Sequence, residues 1–416
     1  MKNDMPFWKV GHWPTLVSAF LYFDVSFMVW VLLGALGNFV ASEFNLNSAQ
    51  KGLMTAVPLL GGSLLRIVLG QLGDRIGAKK TGIIGLGATL IPLLGGWLWA
   101  DSIARVYLVG LLLGIAGASF AVALPMASRW YPAKYQGLAM GIAGAGNSGT
   151  LLATLFAPRL AQAYGWHAVF GLAILPLLAV MVVFVLCAKD APTAVKAQTT
   201  TEFFAVLKEK DTALFSLFYG VTFGGFVGLA SFLSIYLRDQ YGVSKVHAGD
   251  LASLCVLAGS FLRPVGGFLA DKLGGIRMLT FLYAAVALLV LAVAQTPSLV
   301  AAVGLLFLVM GCLGVGNGSV FQLVPLRYGK QVGVATGILG AAGGLGGFLL
   351  PTLLGSLKQV SGSYATGLVA FAALATLALI CLVIAQRKWI GRWIAEHGRV
   401  PVAVAPPLPT ETPEPA

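Results

Sequence analysis

Long apolar runs separated by short polar connections cover most of this chain. Runs of about 20 residues, the length an α-helix needs to cross a bilayer, lie near 14–41, 49–72, 81–99, 103–130, 137–163, 167–188, 212–238, 245–271, 277–295, 298–325, 332–356 and 363–385. Twelve membrane helices are therefore predicted. The longest polar interruption, 188–211, contains Lys189, Lys196, Lys208 and Lys210 and divides the chain into six plus six. The expected organisation is a first half, 1–188, a central loop, 189–211, a second half, 212–385, and a tail, 386–416. The tail begins basic and ends with Pro406, Pro407, Pro409, Pro413 and Pro415, so its last part is expected to be disordered.

Composition agrees with this reading. Of 416 residues, 58% are hydrophobic and 10% are charged, as in an integral membrane protein. The 53 glycines are about twice the usual share, which lets helices approach closely and bend and suits a transporter more than a rigid anchor. The net charge of +12 is not gathered on a soluble domain, so no nucleic-acid partner is expected. Lys and Arg collect in cytoplasmic connections. If both termini, the even-to-odd connections and the central loop share one side, that side holds 19 of the 27 basic residues. The other side holds six (Lys51, Arg105, Arg159, Arg238, Lys245 and Lys358), and Arg66 and Arg263 complete the total. Both termini are expected to be cytoplasmic. The first run is too long for a signal-peptide core and is read as a span. Cys187, Cys255, Cys312 and Cys381 lie in apolar segments without metal-ligand spacing and are read as small hydrophobes. Neither metal nor cofactor is expected.

Two cations interrupt the apolar pattern. The stretch 62–77 recurs as 259–274, matching Gly62 with Gly259, Ser63 with Ser260, Arg66 with Arg263, Gly70 with Gly267, Asp74 with Asp271, Arg75 with Lys272 and Gly77 with Gly274. In each copy the arginine stands eight residues before the aspartate. At roughly 1.5 Å rise per residue this puts the guanidinium about 12 Å inside the helix end. A cation near mid-bilayer costs about 2.5–3.5 kcal/mol on insertion scales. Either a protein carboxylate compensates it and the pair is structural, or a substrate anion does. Asp24 is the one carboxylate expected within the embedded segments, too few for two arginines, so an anion site is the preferred reading. A second repeat, Gly114–Ser119 before Pro125 and Gly314–Ser319 before Pro325, points to two parallel-related halves with a site between them at mid-depth.

The run Gly70-Gln71-Leu72-Gly73-Asp74-Arg75-Ile76-Gly77-Ala78-Lys79-Lys80 resembles the loop motif between helices two and three of the major facilitator superfamily. The finer resemblance is to its nitrate/nitrite porter family, through an arginine in helix two, another in helix eight, and glycine-rich signatures in helices five and eleven. The signatures here are Gly141-Ile142-Ala143-Gly144-Ala145-Gly146-Asn147-Ser148-Gly149 and Gly337-Ile338-Leu339-Gly340-Ala341-Ala342-Gly343-Gly344-Leu345-Gly346-Gly347. Some members have a substrate-lining glycine where this chain has Ala143. The resemblance implies an all-α membrane protein of twelve helices in two pseudo-symmetric six-helix halves. It also implies that Arg66 and Arg263 grip the anion from two sides, that Phe120 and Phe223 sandwich it, and that Tyr219 and Asn147 donate hydrogen bonds.

These residue types suit nitrate and nitrite. A guanidinium is planar and presents parallel N–H donors, so it can hold two oxygens of a flat anion at once, which an ammonium cannot. Phenyl rings on the flat faces would exclude water. Phe120, Phe223 and Tyr219 also fit ordinary packing, and an intramembrane Asn often only joins helices. Asp74, Arg75, Asp271 and Lys272, at helix ends, are read as gate residues whose ion pairs hold an outward-facing state and release as the halves rock. Asp24 is the candidate proton-coupling group. Proton-coupled nitrate uptake is the leading expectation and nitrate/nitrite exchange the alternative. A carrier of another small organic anion, a drug exporter and a non-transporting sensor are more distant readings. Phosphate-binding loops, nucleophile elbows and clustered metal ligands are missing from the sequence, so no enzyme is expected. The expected partners are nitrate, nitrite, protons and lipid, and the expected form is a monomer in the inner membrane.

Overall fold

A computed structural model describes residues 7–192 and 200–394. The tail beyond Ile394, including its Pro-rich end, lies outside the described residues. In hydrocarbon every backbone N–H and C=O must be satisfied within the segment, and the described residues are accordingly helical, with one isolated bridge between Ile390 and Ile394. The membrane helices are α1 (Trp13–Trp30, extended by Leu32–Ala35 and Gly37–Glu43), α2 (Ser48–Ile76), α3 (Ala78–Leu98), α4 (Ile103–Gly117 and Phe120–Ser128), α5 (Ala133–Gly144 and Gly149–Tyr164 around a 3₁₀ turn) and α6 (Trp166–Cys187). They continue as α7 (Lys210–Tyr219 and Gly225–Tyr241 around a π turn), α8 (Lys245–Leu273), α9 (Gly275–Gln295), α10 (Leu299–Tyr328), α11 (Val332–Ser361) and α12 (Ala365–Trp389).

Among the described residues eleven of these are long and apolar enough to cross a membrane. The other is α5, which the run Gly144–Gly149 divides into pieces of 12, 4 and 16 residues. The division has a packing cause. Cβ atoms added at Gly146 and Gly149 would strike the α1 backbone at Phe20 and Asp24, so α5 meets α1 at backbone contact here. The same device sets the arginine-bearing helices. Gly114 of α4 lies on Gly61 and Gly62 of α2, and Gly314 of α10 lies on Gly259 of α8. The two copies then diverge: α4 breaks after Gly117, whereas α10 runs unbroken for 30 residues.

We call the side bearing Phe7 and Ile394 the terminal face and the opposite side the distal face. Toward the distal face the first six helices close on the last six. The Asn38 amide donates to the Ser234 carbonyl (3.0 Å) and hydroxyl (2.9 Å), Lys51 pairs with Asp239 at 2.8 Å, and Arg159 pairs with Asp250 at 2.5 Å. Gly52 of α2 rests on Pro351 and Gly355 of α11. On the terminal side of mid-depth the seam loosens: a Cβ at Gly141 of α5 or Gly337 of α11 would meet nothing within 4 Å.

Candidate functional site

Arg66 and Arg263 reach the interior at the level where the helices break. Arg66 is 1% exposed and Arg263 8%, so neither faces lipid. Arg66 Nε donates to the Gly117 carbonyl at 3.0 Å and Nη1 to the Gly340 carbonyl at 2.6 Å. The break in α4 supplies the first acceptor. The Ala121 amide turns to Ala118 (3.0 Å), which releases the Gly117 carbonyl from the helical ladder. Arg66 thereby joins α2 to α4 and, across the seam, to α11. Ser63, one turn earlier, adds a bond to the Ala341 carbonyl at 2.5 Å.

Arg263 is held less tightly. Its Nη2 stands 3.5 Å from the Tyr219 hydroxyl, and its guanidinium carbon would lie 4.0 Å from a Cβ at Gly144. One nitrogen of each arginine, Nη2 of Arg66 and Nη1 of Arg263, is buried with no hydrogen-bond partner. No ion pair among the described residues includes either arginine. A buried donor left unmade costs about 1–3 kcal/mol, and more when charged, so the site is two charges short of anion and at least two donors short of acceptors.

Aromatic rings enclose the pair. The Arg66 guanidinium lies 5.1 Å from the Phe120 ring centre, 5.0 Å from Phe223 and 5.0 Å from Trp30, and Arg263 lies 5.8 Å from the same Phe120. Tyr219, just before the π turn of α7, and Phe223, within it, stack at 5.0 Å and 8°. Phe321 of α10 closes the circle, 6.1 Å from Phe120 and 5.0 Å from Tyr219. Sequence reasoning missed Trp30, which no motif distinguishes from other membrane aromatics, and left Phe321 out of the site although it lies in the stretch Gly316-Asn317-Gly318-Ser319-Val320-Phe321-Gln322 that is similar to the family. Trp30 is fixed by its indole bond to the Pro58 carbonyl at 2.6 Å.

Phe120 and Phe223 meet at 6.3 Å between centres and 41° between planes. A flat ion between parallel rings needs about 7 Å, twice a 3.5 Å contact, so in this conformation the rings close on each other and on Arg66. Asn147 lies in the 3₁₀ turn of α5, fully buried, with both amide atoms lacking a partner. The structure therefore brings Arg66, Arg263, Phe120, Phe223 and Tyr219 together and leaves Asn147 unsatisfied in the adjoining helix.

Asp24 stands apart. It accepts a hydrogen bond from Ser148 at 2.6 Å, on the seam where α1 meets α5, and pairs with no arginine. A second carboxylate falls inside a predicted span: Asp250, in the second turn of α8, paired with Arg159 near the distal face. At the terminal face Asp74 binds Arg129 of α4 at 2.6 Å, an ion pair within the first six helices. Its counterpart does not repeat this. The register of Pro125 with Pro325 sets Gly329 against Arg129, and Arg327, two residues earlier, pairs with Glu209 (2.5 Å) and Asp211, while Lys272 lies over Phe268 at 4.2 Å. Among the described residues Arg75 and Asp271 make no ion pair, and no three His, Cys, Asp or Glu side chains converge as a metal site would require.

Residues 18–351 match the Major Facilitator Superfamily. Relatives include a nitrite extrusion protein of Bacillus subtilis, 37% identical with 86% of this chain and 90% of that one covered. A probable nitrate/nitrite transporter of Mycobacterium tuberculosis is 35% identical over 88% of this chain and 95% of its own. A probable nitrate transporter of Staphylococcus carnosus is 33% identical over 86% and 92%. Among solved structures, a bacterial homolog of the human lysosomal transporter Spinster, in inward-facing and occupied form, superposes with a TM-score of 0.64 at 21% identity over 89% of this chain and 96% of that one. With twelve helices, a buried arginine on each of α2 and α8, and relatives of this kind along most of its length, the chain belongs to the nitrate/nitrite porter family of the major facilitator superfamily.

Proposed function

We propose that the chain carries nitrate and nitrite across the cytoplasmic membrane by alternating access, with Arg66 and Arg263 as the anion ligands. The observation that carries this reading is the pair of buried guanidinium groups, each with an unpartnered N–H edge and neither compensated by a carboxylate. A planar monoanion with two or three oxygens offsets one of the two positive charges and offers an acceptor to each free N–H, and guanidinium forks match its geometry. Tyr219 and Asn147 add donors, and Phe120 and Phe223 part slightly to take the flat faces. The relatives' names support the same substrates. The first six and last six helices act as the rocking halves and the terminal face is cytoplasmic, in accord with the bias of basic residues. One chain holds both arginines, which supports a monomer as the working unit.

Exchange is the coupling mode this geometry favours. Without anion, two like charges share a poorly solvated space, and Arg66 is tied across the seam to Gly340. Loading one monoanion halves the net charge of the pair and screens the two cations from each other, which lets the halves reorient, so return without anion is slow. Proton-coupled uptake is the second reading, favoured by Asp24 and its hydrogen bond to Ser148 on the α1–α5 seam; Asp74, Arg75, Asp271 and Lys272 serve as gate residues in either mode. Proteoliposomes loaded with or without nitrite, under a pH gradient of either sign, separate the two. Exchange predicts labelled nitrate entry that needs internal nitrite or nitrate, ignores the gradient and survives Asp24→Asn. Uptake into empty vesicles driven by external acid and abolished by Asp24→Asn would establish symport instead.

A further inference from the structure

A second group of cations lies away from the arginine pair, at the terminal face between α7, α10 and α12. There a cavity of about 450 Å³ is lined by Lys210, Arg327, Lys388 and Arg392. The nearby acids are already engaged. Arg327 holds Glu209 and Asp211, and the Trp389 indole donates to the other Asp211 oxygen at 2.9 Å. Lys210, Lys388 and Arg392 are exposed and make no ion pair among the described residues.

The chain's course builds this site. After α12 it reverses at Gly391, whose φ of +78° suits glycine, and the Gly391 amide donates to the Ile394 carbonyl at 3.0 Å. That turn brings Arg392 and Trp393 back to the cavity. Trp393 lies 5.0 Å from Trp389, which stacks on Phe215 at 5.4 Å and 13°. The other end of the cavity is apolar, formed by Leu214, Cys381 and Ile384. Ile384 is 57% exposed and Ile380, one turn away, 51%, on the outer surface of a membrane helix.

Cations and indoles at headgroup level above an apolar floor match the two parts of one molecule. Free phosphate would have no use for the floor, and a zwitterionic lipid would bring its own cation to a site where the cations already outnumber Glu209 and Asp211. We propose that this cavity binds an anionic phospholipid, its phosphodiester held by Lys210, Lys388 and Arg392 and its acyl chain laid along Leu214 and Ile384. The bound lipid ties the start of α7 to the end of α12.

The full chain in nanodiscs of phosphatidylcholine and phosphatidylglycerol, transferred to detergent and weighed by native mass spectrometry, tests this. The wild type should retain phosphatidylglycerol in preference to phosphatidylcholine, and excess inorganic phosphate should not displace it. Each charge removed should weaken retention about fivefold, so Lys210→Gln/Lys388→Gln/Arg392→Gln together should lose on the order of a hundredfold. Arg387→Gln, at the same helix end but outside the cavity, should retain lipid normally. These side chains are exposed, and size-exclusion chromatography checks that the triple variant is folded. Equal retention of phosphatidylcholine, undiminished phosphatidylglycerol on the triple variant, an equal loss in Arg387→Gln, or displacement by phosphate would each overturn the proposal.

Discussion

Replacing Arg66 by lysine keeps the charge and removes the fork. Arg66 directs Nε to Gly117 at 3.0 Å and Nη1 to Gly340 at 2.6 Å, and keeps Nη2 unpartnered. One lysine nitrogen cannot occupy the ends of that fork at once. If it stays with the carbonyls, the anion loses a charge-assisted bond; if it turns to the anion, a buried carbonyl loses its donor. Either loss is about 1.5–3 kcal/mol, so binding should weaken by roughly 10- to 150-fold. The assay is counterflow of labelled nitrate into nitrate-loaded proteoliposomes, with folding of the variant checked by circular dichroism and gel filtration. A folded Arg66→Lys protein whose half-saturation stays within about threefold of the wild type would refute the view that geometry, and not charge alone, selects the anion.

Tyr219→Phe removes the hydroxyl 3.5 Å from Arg263; nitrate affinity measured by counterflow should fall about three- to tenfold, and no change would remove Tyr219 from the ligand set. Asp239 accepts both Lys51 (2.8 Å) and the Tyr364 hydroxyl (2.9 Å) near the distal face. Asp239→Asn should favour the state open on that face, raising maleimide labelling of a cysteine placed at Ser234 by roughly two- to fivefold; a fall in labelling would contradict the latch. His12 caps α1 by accepting from the Thr15 amide at 3.2 Å, and burial, followed by the Lys189 charge, lowers its pKa from the usual 6.5. A lowered folded pKa means that the cap contributes fully above the unfolded value and is lost as pH falls through the folded one. Protection factors in the first turn of α1, corrected for the intrinsic pH dependence of exchange, should therefore fall on acidification in the wild type but not in His12→Ala, and identical profiles would show that the cap is idle.

The sequence carried the parts of this account that depend on where a residue sits along a span. Arg66 and Arg263 stood out because a cation in an apolar run has few explanations, and the repeat around them related α2 to α8. Contacts across the seam were not legible. Trp30 looks like any membrane aromatic until α1 is placed beside the arginines, the family-like stretch around Phe321 does not say that its ring faces them, and Asp239 reads as a loop acid until Lys51 faces it. The matching motifs also concealed an asymmetry. Asp74 and Asp271 occupy equivalent positions, yet among the described residues only Asp74 has an arginine: Gly329 stands where the first half has Arg129, and the nearby Arg327 is held by Glu209 and Asp211. The π turn of α7 and the break in α4 leave no mark in the apolar pattern by which the spans are read.

The central claim is that two buried guanidinium groups without a protein counterion form one site for a small planar anion. Isothermal titration of nitrate into the purified protein tests it most directly. One nitrate should bind per chain, nitrite should compete for the same site, and the heat should vanish in Arg66→Gln/Arg263→Gln. A folded double variant that still binds one nitrate with wild-type affinity would contradict the claim.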